Sequence, residues 1–170
     1  MNSRTIKTVT GKYIDVFEPD PDLICIEDIA QGLSNQCRFG GQTKEFHSVA
    51  EHCIWMAERA EPEDKLAALL HDGSEGLGLG DLAKPIKNYM IEYQEVEHNL
   101  MRAIAMKFGF QYPINERVKE LDHASFEFER ENKMNANTFK SMLPTEAKER
   151  FLELYEEIME QQNILITTKP

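Results

Sequence analysis

Leu66-Ala67-Ala68-Leu69-Leu70 is a five-residue apolar run, and no apolar run in the chain is longer; it ends directly in His71 and Asp72. Two titratable side chains at the edge of a packed helix are costly to bury unpaired, so a partner is expected. A divalent metal would serve, because neutral imidazole and carboxylate both ligate first-row ions. His52 lies beside Val49 and Cys53 on the preceding helical stretch, and Asp122 lies beside Leu121 on a later one. Together His52, His71, Asp72 and Asp122 offer two nitrogens and two carboxylate oxygens, with positions left for water. His71 and Asp72 also read as a hydrogen-bonded pair ending a helix, and spacing alone leaves both open.

The elements that must position these residues are mostly helical. Ile26, Ile29, Ala30 and Leu33 make one apolar stripe, which Arg38-Phe39-Gly40-Gly41 breaks. Val49, Cys53, Met56 and Ala60 resume helical spacing over Phe46 to Ala60. Pro62 suits the first turn of a third helix carrying Leu66, Leu69 and Leu70, and Gly76, Gly78 and Gly80 end it. Asp81 is a candidate N-cap for Leu82 to Asn88. Val96, Leu100, Ile104 and Phe108 repeat every four residues over 89–108, with Gly109 at the C-cap position. Pro113 opens a helix with Val118, Leu121 and Ser125 on one face. Pro144-Thr145 opens the last, with Phe151, Leu154, Tyr155 and Ile158 inward. Before all of these, Val9 to Phe17 suggests a short β-hairpin interrupted by Thr10-Gly11, and Pro19-Asp20-Pro21-Asp22 an extended loop. The expectation is one all-α domain over 1–170, a bundle of six or seven helices with an N-terminal hairpin.

Composition narrows the partners. Thirty acidic against 19 basic residues give a net charge of −11, which disfavours a nucleic-acid or membrane-surface binder. A small anionic ligand needs only a local basic pocket and stays allowed. Cys25, Cys37 and Cys53 form no Cys-x-x-Cys pair and no disulfide framework. Met1 to Lys7 lacks the apolar stretch of a secretory signal, so a cytoplasmic protein is expected (in a host cytoplasm if phage-encoded).

His52, then His71-Asp72, then Asp122 resembles the signature of the HD-domain metal-dependent phosphohydrolases. Further segments follow in family order: Arg38-Phe39-Gly40-Gly41, Ser48-Val49-Ala50-Glu51-His52, Leu69-Leu70-His71-Asp72-Gly73-Ser74-Glu75, and Gly80-Asp81-Leu82-Ala83-Lys84-Pro85-Ile86-Lys87. The chain is similar to bacterial 5′-deoxynucleotidases and to small phage enzymes that include dATP triphosphohydrolases. Cys25-Ile26-Glu27-Asp28-Ile29-Ala30 resembles the phage branch in particular. The likeness runs from residue 4 to about 130. It departs in one place: six steps separate Glu75 from Asp81, one more than the family pattern, across a glycine-rich loop.

The resemblance implies that His52, His71, Asp72 and Asp122 hold one divalent ion, with manganese, cobalt, zinc, iron, nickel and magnesium all open. It gives Glu75 a role near the attacking water or the leaving oxygen, and Asp81 a catalytic or sugar-contacting role. Arg38 would grip a phosphate, as a guanidinium can through paired hydrogen bonds. Phe39 would pack on base or sugar, unless it is simply core. Lys84 and Lys87 would receive outer phosphates, unless they are ordinary surface lysines. His47 projects differently around its helix from His52, and His98 and His123 read as structural or solvent-facing. The implied activity is hydrolysis of a deoxynucleotide at its α-phosphate by a homo-oligomeric enzyme. A deoxynucleoside triphosphate triphosphohydrolase, dATP favoured, leads; a 5′-deoxynucleotidase is the alternative. Cyclic-nucleotide phosphodiesterase chemistry needs more histidines, and a non-enzymatic nucleotide sensor would usually have lost a ligand or the glutamate.

Overall fold

A computed structural model describes residues 4–135, 138 and 140–167, and the side chains of 165–167 are not described. Met1 to Ser3, part of the stretch read for a leader, lie outside the described residues. Two short strands, β1 (Thr5–Lys7) and β2 (Tyr13–Asp15), pair antiparallel in the register Thr5 to Asp15, Ile6 to Ile14 and Lys7 to Tyr13. The hairpin therefore starts earlier than the β-formers suggest, and Val9 and Thr10 belong to its turn. Asp28 holds that turn, because its carboxylate accepts from the N–H and hydroxyl of Thr10.

Seven α-helices follow among the described residues: α1 (Ile26–Asn35), α2 (Val49–Arg59), α3 (Lys65–Leu70), α4 (Lys84–Lys87), α5 (Ile91–Phe108), α6 (Glu116–Glu129) and α7 (Pro144–Thr167). The all-α architecture with an N-terminal hairpin is as the periodicity requires. Several boundaries differ from those the periodicity suggests. Pro21–Leu23 forms a 3₁₀ turn rather than an extended loop, with Pro21 at its first position and Asp20 accepting from the Asp22 N–H. Pro62 lies in a turn ahead of α3. Pro113 follows a cis peptide bond, and α6 begins only after Asn115, whose side chain caps the Val118 N–H. Helix α2 starts at Val49 and not Phe46, because Ser48 and Glu51 form a reciprocal capping box there.

α1 packs on α2, on α7 and on the π-helical turn Glu75–Leu79. α2 is also covered by α3, α6 and α7, so its residues Val49, Ala50, Cys53, Met56 and Ala57 lie in the core with Leu69, Leu70 and Phe151. The contact of α1 with the π-turn is intimate: a Cβ on Gly32 would fall 1.9 Å from the Gly76 carbonyl oxygen. That approach fixes the backbone just beyond Asp72. No described helix is long and apolar enough to cross a membrane.

Candidate metal centre

The cluster is assembled from three places in the chain: α2, the end of α3 and α6. His52 comes from the middle of α2 and is fully buried. His71 is the C-cap of α3, with Asp72 following it. Asp122 comes from α6, and its side chain is 47% exposed, leaving one side of the cluster open. The Nε2 atoms of His52 and His71 face each other at 3.1 Å. Asp72 Oδ2 lies 3.6 Å from His52 Nε2 and 3.2 Å from His71 Nε2. Asp122 Oδ1 lies 3.3 Å and 3.9 Å from the same two nitrogens.

The opposite ring nitrogens show what this centre needs. His71 Nδ1 donates to the Ala68 carbonyl at 2.9 Å, since a carbonyl only accepts. His52 Nδ1 lies 3.0 Å from Ser125 Oγ and 3.1 Å from Glu129 Oε1, and an ionised carboxylate likewise only accepts. Neutral rings with Nδ1 protonated turn both Nε2 lone pairs inward, beside two carboxylate oxygens. Four acceptors without a proton among them repel unless a cation joins them. Ligands about 2.1 Å from a first-row ion sit roughly 3.0–3.4 Å apart at bond angles of about 90–109°, close to the spacings here. His52, His71 and Asp72 fit a divalent ion together, while Asp122 stands beside them at the open edge, near both histidines but outside that mutual grouping. With no ion, a proton takes its place: burial opposes charging His71, but Asp72 outweighs it and raises the imidazole well above its usual range. Burial likewise opposes ionising Asp72, yet His71, His52 and Arg38 hold it low.

Two further groups border the cluster. Arg38 Nη1 lies 3.7 Å from Asp72 Oδ2, while its Nε and Nη2 engage Glu129 Oε2 at 3.0 and 2.9 Å. Glu75 is buried, its Oε2 has no hydrogen-bond partner among the described residues, and its Oε1 lies 3.8 Å from Lys87 Nζ. Burial, then the charges of Asp72 and Asp81, push its carboxyl up to about 9. Glu75 is thus protonated at neutral pH when no ion offsets those charges.

No family model matches the chain. It is 37% identical to an uncharacterized protein of Rhodobacter capsulatus over 139 residues, 74% of this chain and 70% of that protein. It is 34% identical to the uncharacterized protein YfdR of Escherichia coli K12 over 117 residues, 69% of this chain and 65% of YfdR, slightly under two thirds of that relative's length. The chain belongs to the family of the Rhodobacter protein.

The remaining expected residues divide. Asp81 is not the N-cap of α4, a position that Ala83 takes; its Oδ2 accepts from the Phe39 N–H at 3.2 Å. That bond holds the Arg38–Gly41 turn, where Phe39 has a φ of 56°. The Phe39 ring is half-buried, 5.7 Å from Phe126 and 5.4 Å from the Arg38 guanidinium. Lys87 is shared between Glu97 and Glu75. Lys84 is exposed, and among the described residues it pairs with none of the cluster's carboxylates. His47 is buried away from the two Nε2 atoms, with its own Nε2 3.0 Å from Glu129 Oε1. His98 meets the Tyr112 hydroxyl, and His123 is exposed. Sequence reasoning passed over Glu129, although Asp122, Ser125 and Glu129 fall at i, i+3 and i+7, one stripe of α6.

Proposed function

We propose that this protein is a metal-dependent phosphohydrolase of the HD-domain type, cleaving a deoxynucleotide between O5′ and the α-phosphorus. The observation that carries the reading is the inward convergence of His52 Nε2, His71 Nε2 and Asp72 Oδ2, with Asp122 Oδ1 beside both histidines and both Nδ1 atoms already committed elsewhere. A divalent ion held there would polarise a phosphoryl oxygen and acidify a bound water, the chemistry that hydrolysis at neutral pH needs.

The chain's own groups supply the rest. Arg38, anchored on its Glu129 side, keeps its Asp72-facing edge to offset charge on a phosphate. Glu75, buried with its Oε2 unpartnered among the described residues, would exchange a proton with the attacking water or with the departing O5′, which leaves as a neutral hydroxyl. Asp81 holds the Arg38–Phe39 turn against the site and presents a carboxylate to the sugar. The open side at Asp122 gives substrate its way in.

The leading substrate is a deoxynucleoside triphosphate, dATP favoured, released as deoxynucleoside and tripolyphosphate. A specific observation favours the monophosphate alternative: Lys84 faces solvent and Lys87 is occupied by Glu97 and Glu75, leaving Arg38 as the principal cation beside the cluster. Incubating the protein with dNMPs, dNTPs and NTPs, each with manganese, cobalt, zinc, nickel, iron or magnesium, and resolving products by chromatography decides between them. Deoxynucleoside with tripolyphosphate supports the first substrate, and deoxynucleoside with inorganic phosphate from dNMPs alone supports the second. Release of γ-phosphate leaving dNDP, or tight binding with no turnover, overturns the α-phosphate reading.

A further inference from the structure

Glu129 is a carboxylate whose two oxygens are both fully engaged inside the protein. It is 2% exposed. Its Oε1 accepts from His52 Nδ1 at 3.1 Å and lies 3.0 Å from His47 Nε2. Its Oε2 accepts from Arg38 Nε and Nη2 at 3.0 and 2.9 Å. Three residues from separate parts of the chain meet on it: Arg38 from the turn after α1, His47 just before the α2 cap, and His52 within α2. Arg38 and His52 face the cluster with their remaining atoms, toward Asp72 and His71 respectively. Glu129 itself touches neither Asp72 nor Asp122, so it can act only through the residues it holds.

Resting on the metal-centre reading above, we propose that Glu129 is a positioning residue that sets the affinity of the centre through His52 while aiming Arg38 at the same point. A carboxylate on the distal nitrogen of a ligating histidine fixes its tautomer and ring orientation and makes it a better donor. Here the same carboxylate also restrains the guanidinium, so one side chain on α6 registers the phosphate grip to the metal. Ser125, one turn earlier, adds a second polar contact to His52 Nδ1 but carries no charge. A purely structural Glu129 would merely neutralise the buried Arg38.

Three variants separate these roles: Glu129→Gln, Glu129→Gln with Arg38→Gln, and Glu129→Gln with His52→Gln, alongside His52→Gln alone. Equilibrium titration with Mn²⁺ is read together with circular dichroism and thermal melting of the metal-free proteins. Loss of such a partner typically weakens metal binding about 10–100-fold. We expect that weakening in Glu129→Gln, and expect it to persist in the Arg38 double variant even where melting recovers because the buried charge is gone. Glu129→Gln should add little to His52→Gln, since residues acting through one another are not additive. A folded Glu129→Gln that binds Mn²⁺ like the native protein overturns the proposal and leaves the metal centre standing. Native affinity restored by the Arg38 double variant overturns it as well, in favour of charge neutralisation. Native protein binding none of Mn²⁺, Co²⁺, Ni²⁺ or Zn²⁺ overturns the metal reading and this proposal with it.

Discussion

At the scale of single residues, the centre divides its carboxylates by environment. Glu129 is buried and Asp72 half-buried, and each faces cations or imidazoles that keep it ionised, whereas Glu75 is buried facing other carboxylates that favour its protonated form when no ion is bound. Different work follows. Asp72→Ala should abolish metal binding and phosphohydrolysis while far-UV circular dichroism keeps its helical signal; full metal occupancy by elemental analysis would contradict this. Glu75→Gln should keep the metal, since Glu75 lies outside the converging set, and lose about 10²–10⁴-fold in kcat, as expected for a general acid. Glu75 also makes stability depend on pH. Its folded-state carboxyl is raised from 4.5 to about 9, so between those values the folded protein holds a proton that the unfolded chain has released. This contribution is fully present below the unfolded value and is lost as pH rises toward the folded one. His71, also raised, acts in the same sense from about 6.5 upward. In metal-free melts, native Tm should fall from about pH 5 to about pH 9, and Glu75→Gln should fall less steeply. Parallel curves would remove Glu75 as the source.

At the scale of elements, the site depends on caps and close approaches more than on helix propensity. Ser48 and Glu51 cap α2, and Glu51 Oε1 also accepts from the Met142 N–H just before α7. The start of the helix bearing His52 is thereby tied to the last helix. Ser48→Ala should cost about 1 kcal/mol, the usual worth of an N-cap hydroxyl, measured by urea unfolding. Gly32 and Gly76 matter for a steric reason. With a Cβ 1.9 Å from the Gly76 oxygen, Gly32→Ala must push α1 away from the π-turn that carries Glu75. It should destabilise by about 3 kcal/mol or more and lower kcat together with stability. A native melting curve for Gly32→Ala would show that the two backbones can separate freely.

For the whole molecule, ligand binding and folding are linked, because His52, His71-Asp72 and the neighbouring Asp122 come from α2, the end of α3 and α6 and meet only in the folded chain. Divalent metal at 100 times its dissociation constant should raise unfolding free energy by about 2.7 kcal/mol, reversed by chelator. Asp72→Ala should show no such response. A net charge of −11 repels polyanions generally, so under the proposed function the attraction of phosphate falls to Arg38 beside Asp72. Arg38→Gln should therefore raise KM for a phosphorylated substrate far more than it alters metal affinity, as substrate titrations would reveal.

How much of this was legible in one dimension depends on whether a signal is local. Helical periodicity over 26–35, 91–108 and 144–167, the Gly109 cap and the His71-Asp72 step after Leu66 to Leu70 are properties of neighbouring residues, and the chain displays them unaided. His52 and Asp122 could be nominated from their apolar neighbours and the motif, but not brought within 3.3 Å of each other by anything in their spacing. Tertiary packing decided that Asp81 holds the Phe39 turn instead of capping α4, that Lys87 is neutralised by Glu97, and that Glu129 gathers Arg38, His47 and His52. Each of those outcomes is a competition between partners distant in sequence. The strength of a hydrogen bond or ion pair is set by the distance and burial that folding imposes, and residue type alone carries neither.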